Sequence, residues 1–212
     1  MIAIITAMSA ESAVFVEKFS LQPIAHPRLN LRGNEKTIVC ECGAGKVNSA
    51  IATTDLLATF SEISLVISSG VVGALAENLE IGDIVIGRET AQHDGYIPAE
   101  FSGTDLNETL PLQFFEVENT KPGKILSGDQ FIHSAEKKSE LAARGGTICE
   151  MECAAVAHAA RKFKIPCAAI KIVSDKADNS ACLDFENNFR TVMEHAVKVL
   201  ETVIEKFDAS KT

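Results

Sequence analysis

Short apolar runs alternate with helix-like segments along nearly the whole chain, and this alternation restricts the fold more than any other feature. The runs are apolar on successive residues, which is typical of strands that are buried on both faces. We predict a single α/β domain over residues 1–212, with a largely parallel mixed central sheet flanked by helices. The predicted strands lie in IAIITAM, KTIVCEC, SLVISSG, GDIVIGRET, GKILSGD, GTICEME and CAAIKIVSD.

Helical patterns fill several of the intervals between these runs. Helices are predicted over residues 9–19, with Ser9 able to cap the first of them, over residues 47–60, and over residues 153–163. The last helix is the most regular, because apolar residues recur mostly at three- and four-residue steps from Phe185 to Phe207, which predicts a face packed on the core. Residues 95–120 are the least regular, which is typical of a binding loop or an interface.

Composition and charge exclude several classes of protein. The chain is 46% hydrophobic, enough for a substantial core, and its formal net charge is −9 without a basic stripe, so we expect neither a nucleic-acid nor a membrane-surface partner. No apolar stretch approaches a membrane span. The six cysteines have neither Cys-x-x-Cys nor zinc spacing. This favours buried thiols in a reducing compartment, and therefore a cytoplasmic protein without a metal or another cofactor.

Acidic residues follow three of the predicted strands. Glu11, Asp175 and the pair Glu150 and Glu152 all lie where the carboxyl ends of strands would meet, the usual ligand site of α/β sheets. Each acid alone has an ordinary explanation, since glutamate is favoured in a first helical turn and aspartate is a common cap. Their convergence on one edge is harder to explain structurally, because burying an unpartnered carboxylate costs several kcal/mol. We therefore predict a functional site at this edge.

Two glycine-containing segments lie at the same edge, but neither fits a phosphate-binding pattern. GAGKVNS lacks the P-loop spacing and the third glycine of a dinucleotide fingerprint, and SGVVGAL has no cation nearby to hold a phosphate. Glycines required by tight strand-to-helix turns explain both segments at least as well.

The ordered segments AMSAE, GAGKV, SGVVGAL, GDIVI, HD, SGDQFI, EMECAAVAH and VSDKAD resemble those of the 5′-methylthioadenosine/S-adenosylhomocysteine nucleosidases. These enzymes are small members of the nucleoside phosphorylase superfamily, and the resemblance covers nearly the whole chain. It implies a nucleoside phosphorylase-like fold, a homodimer, and hydrolysis of the N-glycosidic bond of both nucleosides with release of adenine, a step of methionine salvage. It implies a small-molecule nucleoside substrate.

The resemblance assigns the catalytic roles. Glu11 is expected to be the general base that activates the attacking water, and Asp175, held by Ser174, the general acid that protonates adenine N7. The chemistry suits these residue types, because two carboxyl groups divide the work in glycoside hydrolysis and a buried carboxyl can keep its proton near neutral pH.

The resemblance also assigns the substrate contacts. Glu152 would hold the ribose hydroxyls, and Met151 would pack against the sugar. Phe131 would stack on adenine, while the backbone of Ile132 would bond the edge of the base. Met8 would line the pocket for the 5′-alkylthio group.

Water, rather than phosphate, is the expected nucleophile. Relatives that use phosphate carry GDP-x-R after the first strand, where this chain has AMSAE. Phosphate sites normally contain arginine, and here the strand leading to the glycine turn has only Leu65, Val66 and Ile67 at the relevant place.

Some positions depart from the family pattern and leave substrate preference and oligomer geometry open. Val71 stands where some relatives have serine, Lys171 stands where they often have arginine, and the region after Asp94 is shorter than in relatives. Phe101 and Pro111 are candidates to reach a partner's pocket. Glu150, which the resemblance leaves without a chemical role, is assigned to structural support.

Two other interpretations remain open. The nearer one is futalosine hydrolase activity, which removes a base from a bulkier 5′-substituted nucleoside with a similar site. The other is a non-catalytic nucleoside-binding or receiver-like α/β protein. Receiver domains have clustered acids after the first strand, whereas this chain offers only Glu11 there.

Overall fold

The computed structural model describes residues 1–95, 97–98, 106 and 108–210, without the side chains of residues 187 and 189–191. The strands are β1 (Ile2–Thr6), β2 (Gln22–Ile24), β3 (Asn30–Gly33), β4 (Thr37–Glu41), β5 (Leu65–Ala74), β6 (Ile84–Gln92), β7 (Leu110–Pro111), β8 (Lys121–Ser127), β9 (Ile148–Glu150) and β10 (Cys167–Asp175). The helices are α1 (Ser9–Lys18), α2 (Lys46–Thr59), α3 (Ala135–Ala143), α4 (Cys153–Lys162) and α5 (Ala181–Ala209).

Every predicted apolar run is a strand, but two local predictions are wrong. Met8, not Ser9, precedes α1 as its N-cap, and its backbone N–H is bonded by the side chain of Glu11. Gly70 and Gly73 lie inside β5 rather than in a strand-to-helix turn, since β5 continues to Ala74. The short strands β2, β3 and β7 and the helix α3 had no sequence prediction.

The sheet is mixed and closes partly on itself. Parallel pairs join β1 to β4 and β5, β10 to β5, and β8 to β6 and β9. Antiparallel pairs of strands are as numerous among the described residues, although the longest pairings are parallel, so the predicted mixed sheet is confirmed. The strands β5, β10, β6, β8 and β9 form a closed barrel, and β1, β4, β3 and β2 extend from it.

The length of β5 makes the closure possible. One edge of β5 pairs with β10 from Val66 to Gly73, so its other edge must take both β1 and β9. Residues 65–68 pair with β1 and residues 73–74 with β9. A strand of ordinary length would pair once on each edge and leave the sheet open.

Apolar packing on both faces of this sheet holds the helices in place. The helix α5 covers one face, as predicted, and each fully buried aliphatic side chain contributes about 1.5–3 kcal/mol. Phe185 is not part of this packing, and the side chain of Phe189 lies outside the described residues. The residues of α5 that take part in this packing are Val192, Met193, Ala196, Val197, Val199, Leu200, Val203 and Phe207.

The structure also bears on the predictions for the cysteines, for membrane-spanning helices and for residues 95–120. All six cysteines are free thiols, but the prediction that they are buried is wrong for Cys182, which is exposed, and Cys42 is only half-buried. Among the described residues no helix has both the length and the apolar character to cross a membrane. Pro111 lies on β7, paired with Glu89 of β6, whereas Phe101 lies outside the described residues.

Candidate active site

A cavity of about 200 Å³ opens at the carboxyl ends of the strands. All eight residues to which the sequence assigns a role in catalysis or substrate binding line this one cavity, together with neighbours that had no such assignment. The predicted residues are Met8, Glu11, Phe131, Ile132, Met151, Glu152, Ser174 and Asp175. The additional residues are Ala7, Ala44, Val71, Val72, Gly73, Gln130, Cys149, Glu150 and Phe185.

Backbone amides fix the carboxylate of Glu11 from two sides. Oε2 accepts the N–H groups of Ala7 at 2.9 Å and Met8 at 3.0 Å, and Oε1 accepts that of Val71 at 3.0 Å. The side chain thus caps α1, as the ordinary explanation predicts, and also reaches β5. Burial raises the pKa of Glu11, against the lowering effect of these bonds and of Lys171.

Gly70 is required for this arrangement. A Cβ atom at Gly70 would lie 2.4 Å from Oε1 of Glu11, and the φ angle of 151° is one that other residues rarely adopt. The glycine inside β5 therefore makes room for the carboxylate of Glu11. A glycine inside a strand is a sequence signal for such a close approach.

A bulge in β10 positions Asp175. The pairing of β10 with β5 shifts register between Val173 and Asp175, which re-aims the side chains at the strand end. Oδ2 of Asp175 accepts the Ser174 hydroxyl at 2.9 Å, and Oδ1 accepts the N–H of Ala177 at 2.9 Å. Burial raises the pKa of Asp175, against the lowering effect of both bonds.

Gly73 leaves space for Asp175. A Cβ atom at Gly73 would lie 3.0 Å from Oδ1 of Asp175 and 2.9 Å from the Cβ of Ala177. Each of the two glycines of SGVVGAL therefore leaves a space that an acidic side chain occupies.

Glu150, which lines the cavity, forms a buried ion pair with Lys171, which does not line it. Nζ of Lys171 lies 2.9 Å from Oε2 of Glu150, and both side chains are only 2% exposed. The Ser127 hydroxyl and the N–H groups of Glu152 and Cys153 also donate to Glu150. The contacts agree with the structural role predicted for Glu150, and they give Lys171 its partner. Burial alone would lower the pKa of Lys171, but Glu150 raises it above its usual value.

Glu152 is less completely partnered than Glu150. Its Oε1 accepts the N–H of Gly45 at 2.8 Å. Burial and the charge of Glu150 raise the pKa of Glu152 to about 7, against the lowering effect of Lys171. Glu152 therefore takes up a proton near neutral pH.

This pKa predicts that stability falls as pH rises from about 5 to about 8. The pKa of Glu152 is raised from 4.5 in the unfolded chain to about 7 in the folded protein. The contribution of this group to stability is therefore complete at pH values below 4.5 and is lost as the pH rises through about 7. The expected loss in the free energy of unfolding is about 3 kcal/mol. Urea unfolding of the wild type and of Glu152→Gln across this pH range measures it. Glutamine keeps an acceptor for Gly45, so equal pH dependence in both proteins would contradict the assignment.

Aromatic side chains form the outer wall of the cavity. Phe131 is 43% exposed and meets Phe185 edge-to-face, with ring centroids 6.0 Å apart and planes at 86°. Ile132 lies next to Phe131 and is 7% exposed. The apolar pattern of the last helix predicts Phe185 on its core face, and this prediction is wrong, because Phe185 lines the cavity.

Comparisons with known proteins agree with this fold and site. The sequence profile of the Phosphorylase superfamily matches residues 1–205. An aminodeoxyfutalosine nucleosidase of Helicobacter pylori is 32% identical over 189 residues, covering 82% of this chain and 81% of that protein. A 5′-methylthioadenosine/S-adenosylhomocysteine nucleosidase of Staphylococcus haemolyticus is 30% identical over an alignment of 230 positions, covering 97% of this chain and 99% of that protein.

A solved structure gives the same result. The 5′-methylthioadenosine/S-adenosylhomocysteine nucleosidase of Neisseria meningitidis, in complex with methylthio-immucillin-A, superposes with a TM-score of 0.87 at 28% identity. The match covers 97% of this chain and 98% of that one. The fold and these relatives place the protein among the enzymes that hydrolyse N-glycosidic bonds of nucleosides. The chain belongs to the phosphorylase superfamily, and the predicted resemblance to its small nucleosidases is confirmed.

Proposed function

We propose that the protein hydrolyses the N-glycosidic bond of 5′-methylthioadenosine and S-adenosylhomocysteine and releases adenine. One observation carries the proposal: a single, largely apolar cavity holds the carboxyl groups of Glu11, Glu152 and Asp175, each delivered by a different strand end. A cavity with apolar walls and a few convergent polar groups is typical of a small-molecule site.

Asp175 is the proposed general acid. Adenine leaves poorly unless a proton reaches N7, and the raised pKa of Asp175 favours a carboxyl that still carries one. Ser174 suits this role, because its oxygen lies 2.9 Å from Oδ2 of Asp175 and 3.3 Å from the carbonyl oxygen of Val72. The Ser174 hydroxyl donates to Oδ2 of Asp175 and the N–H of Ala177 donates to Oδ1, and these bonds would hold the carboxyl in place while its proton passes to adenine N7.

Glu11 is the proposed general base that takes a proton from the attacking water. The backbone bonds to Ala7, Met8 and Val71 hold its carboxylate in one orientation. Its raised pKa makes it a stronger base than an exposed glutamate.

Water, rather than phosphate, is the proposed nucleophile. Of the described residues that line the cavity, none is an arginine or a lysine. Lys171 does not line the cavity, and its ammonium group donates to Glu150. A phosphate dianion would therefore enter a cavity with acidic side chains and no cation on its wall.

The remaining side chains suit the two halves of a nucleoside. Glu152 would accept bonds from the ribose hydroxyls, with Met151 against the sugar, and a carboxylate can accept from both hydroxyls of a diol. Phe131 would stack on adenine, Ile132 would bond its edge through the backbone, and Met8 would face the 5′ substituent. Phe185 meets Phe131 at the cavity and adds an apolar wall for the base.

A second candidate substrate is aminodeoxyfutalosine, as named for the Helicobacter pylori relative. The bond cleaved would be equivalent, and the substrates would differ at the 5′ position. The homodimer also stays a prediction. Its support is the apolar pair Val47 and Ile51, which lie one turn apart on α2 and are 68% and 61% exposed.

Assays of base release test the proposal. The purified protein is incubated with 5′-methylthioadenosine, S-adenosylhomocysteine, aminodeoxyfutalosine or futalosine, with and without phosphate, and the free base is measured. We expect adenine release from the first two substrates at a rate independent of phosphate, with free methylthioribose as the sugar product of the first. Ribose 1-phosphate products would overturn hydrolysis, and binding without base release would overturn enzymatic function.

A further inference from the structure

A closed ring of three residues joins three strand-end loops beside the cavity. The backbone N–H of Lys46 donates to Oδ1 of Asp129 at 2.7 Å, and the backbone N–H of Asp129 donates to Oδ2 of Asp94 at 2.8 Å. Nζ of Lys46 closes the ring by donating to Oδ1 of Asp94 at 2.5 Å, and it also donates to Oε1 of Gln92 at 2.9 Å. The ring thus ties the loop before α2 to the ends of β6 and β8.

The ring residues do not line the cavity, but their chain neighbours contact it or hold its wall. Gly45, directly before Lys46, donates its N–H to Oε1 of Glu152 at 2.8 Å. Asp129 directly precedes residues 130–132, which contain Phe131 and form part of the cavity wall. The ring therefore lies between the proposed ribose contact and the proposed adenine contact.

Partial burial, ionic interactions and close packing hold the residues of the ring in place. The side chains of Lys46 and Asp94 are only 16% and 18% exposed, so water weakens their interaction less than it weakens that of a surface pair. Burial alone would raise the pKa of Asp94, but the bonds from Lys46 and Asp129 hold it below its usual value. Gly45 has a φ angle of 97°, and a Cβ there would lie 3.0 Å from Oδ1 of Asp129, so the turn fits closely against the ring.

We propose that Lys46, Asp94 and Asp129 are positioning residues that fix the separation between Glu152 and residues 130–132. The two halves of the nucleoside are then bound at a preset distance and orientation. This inference rests on the proposed function, because it takes Glu152 as the ribose contact and Phe131 as the adenine contact. An error of about 1 Å in such positioning can cost about a hundredfold in rate.

The test compares a whole nucleoside with its base alone. Lys46→Met removes the ammonium group and keeps an apolar side chain of similar length. Lys121→Met is the matched control, because Lys121 also pairs with an aspartate, Asp83, at 2.6 Å, but in a more exposed position at the other end of β8. The measurements are kcat and KM for 5′-methylthioadenosine, the inhibition constant of adenine, and the melting temperature.

We expect Lys46→Met to lower kcat/KM by about ten- to a hundredfold and to change the inhibition constant of adenine by less than about twofold, since the base contacts remain. Lys121→Met should change neither. Adding Asp94→Asn to Lys46→Met should cause little further loss, because the ring is already open. Equal weakening of nucleoside and adenine, or no effect on either, would overturn the inference. A wild-type protein without turnover refutes the proposed function instead, and adenosine and adenine affinities, measured by calorimetry, then test the ring.

Discussion

Replacing Asp175 with asparagine lowers the turnover of 5′-methylthioadenosine by about a hundred- to ten-thousandfold, the range for loss of a positioned acid, and leaves nucleoside binding nearly unchanged. Asparagine has the same shape, and its oxygen can still accept the N–H of Ala177. Its amide can donate to Ser174, whose hydroxyl then donates to Val72. The variant therefore keeps the fold and the cavity and loses only the proton. Single-turnover rates and nucleoside affinity measured by calorimetry separate these effects.

Two comparisons make this test specific to proton donation. Asp178→Asn is the control within the same motif, since the carboxylate of Asp178 accepts the N–H of Ser180 and is not part of the cavity wall. Its charge is the smallest of the causes that act on the pKa of Asp175, so this variant should lose far less turnover than Asp175→Asn. A methylthioriboside with a p-nitrophenolate leaving group needs no proton to depart, so Asp175→Asn should impair its hydrolysis far less. Near-normal release of adenine by Asp175→Asn would remove Asp175 from its proposed role.

The sheet could be predicted from the sequence only in part, because apolar runs specify strands but not their partners. The sequence predicts that the run SLVISSG ends at Gly70, since glycine suits a tight strand-to-helix turn. In the structure the strand continues, because Gly70 accommodates the carboxylate of Glu11 and the strand then pairs with β9. The barrel closure depends on this extra length, which no local pattern contains.

The site, too, could be predicted only where it depends on local sequence patterns. The acids at 11, 152 and 175 could be placed together because each follows a strand, and strand ends meet at one edge. The ion pair of Lys171 with Glu150 could not be predicted, because it joins strands 21 positions apart in the chain and depends on their order in the sheet. Phe185 continues the apolar pattern of α5, but this helix has 29 residues, about 43 Å, and extends beyond the core it covers.

Replacing Glu11 with glutamine should affect both stability and catalysis, because the structure gives this side chain a capping contact as well as a place in the cavity. Glutamine has one oxygen where the carboxylate has two, so either Val71 or the pair Ala7 and Met8 loses its acceptor. The expected loss in the free energy of unfolding is about 1–3 kcal/mol, too small to unfold a domain whose stability is about 5–15 kcal/mol. Urea unfolding at the assay pH measures this loss.

The catalytic loss in the same variant should be much larger than its loss of stability implies. Without a base for the attacking water, turnover should fall by about a hundred- to ten-thousandfold in protein that is still folded. Glu136→Gln is the matched control, because Glu136 also lies in the first turn of a helix but away from the cavity wall. It should cost about 0.3–1 kcal/mol and leave turnover unchanged. If Glu11→Gln loses stability but keeps turnover within a few-fold of wild type, Glu11 is a helix cap alone, and another group must activate the water.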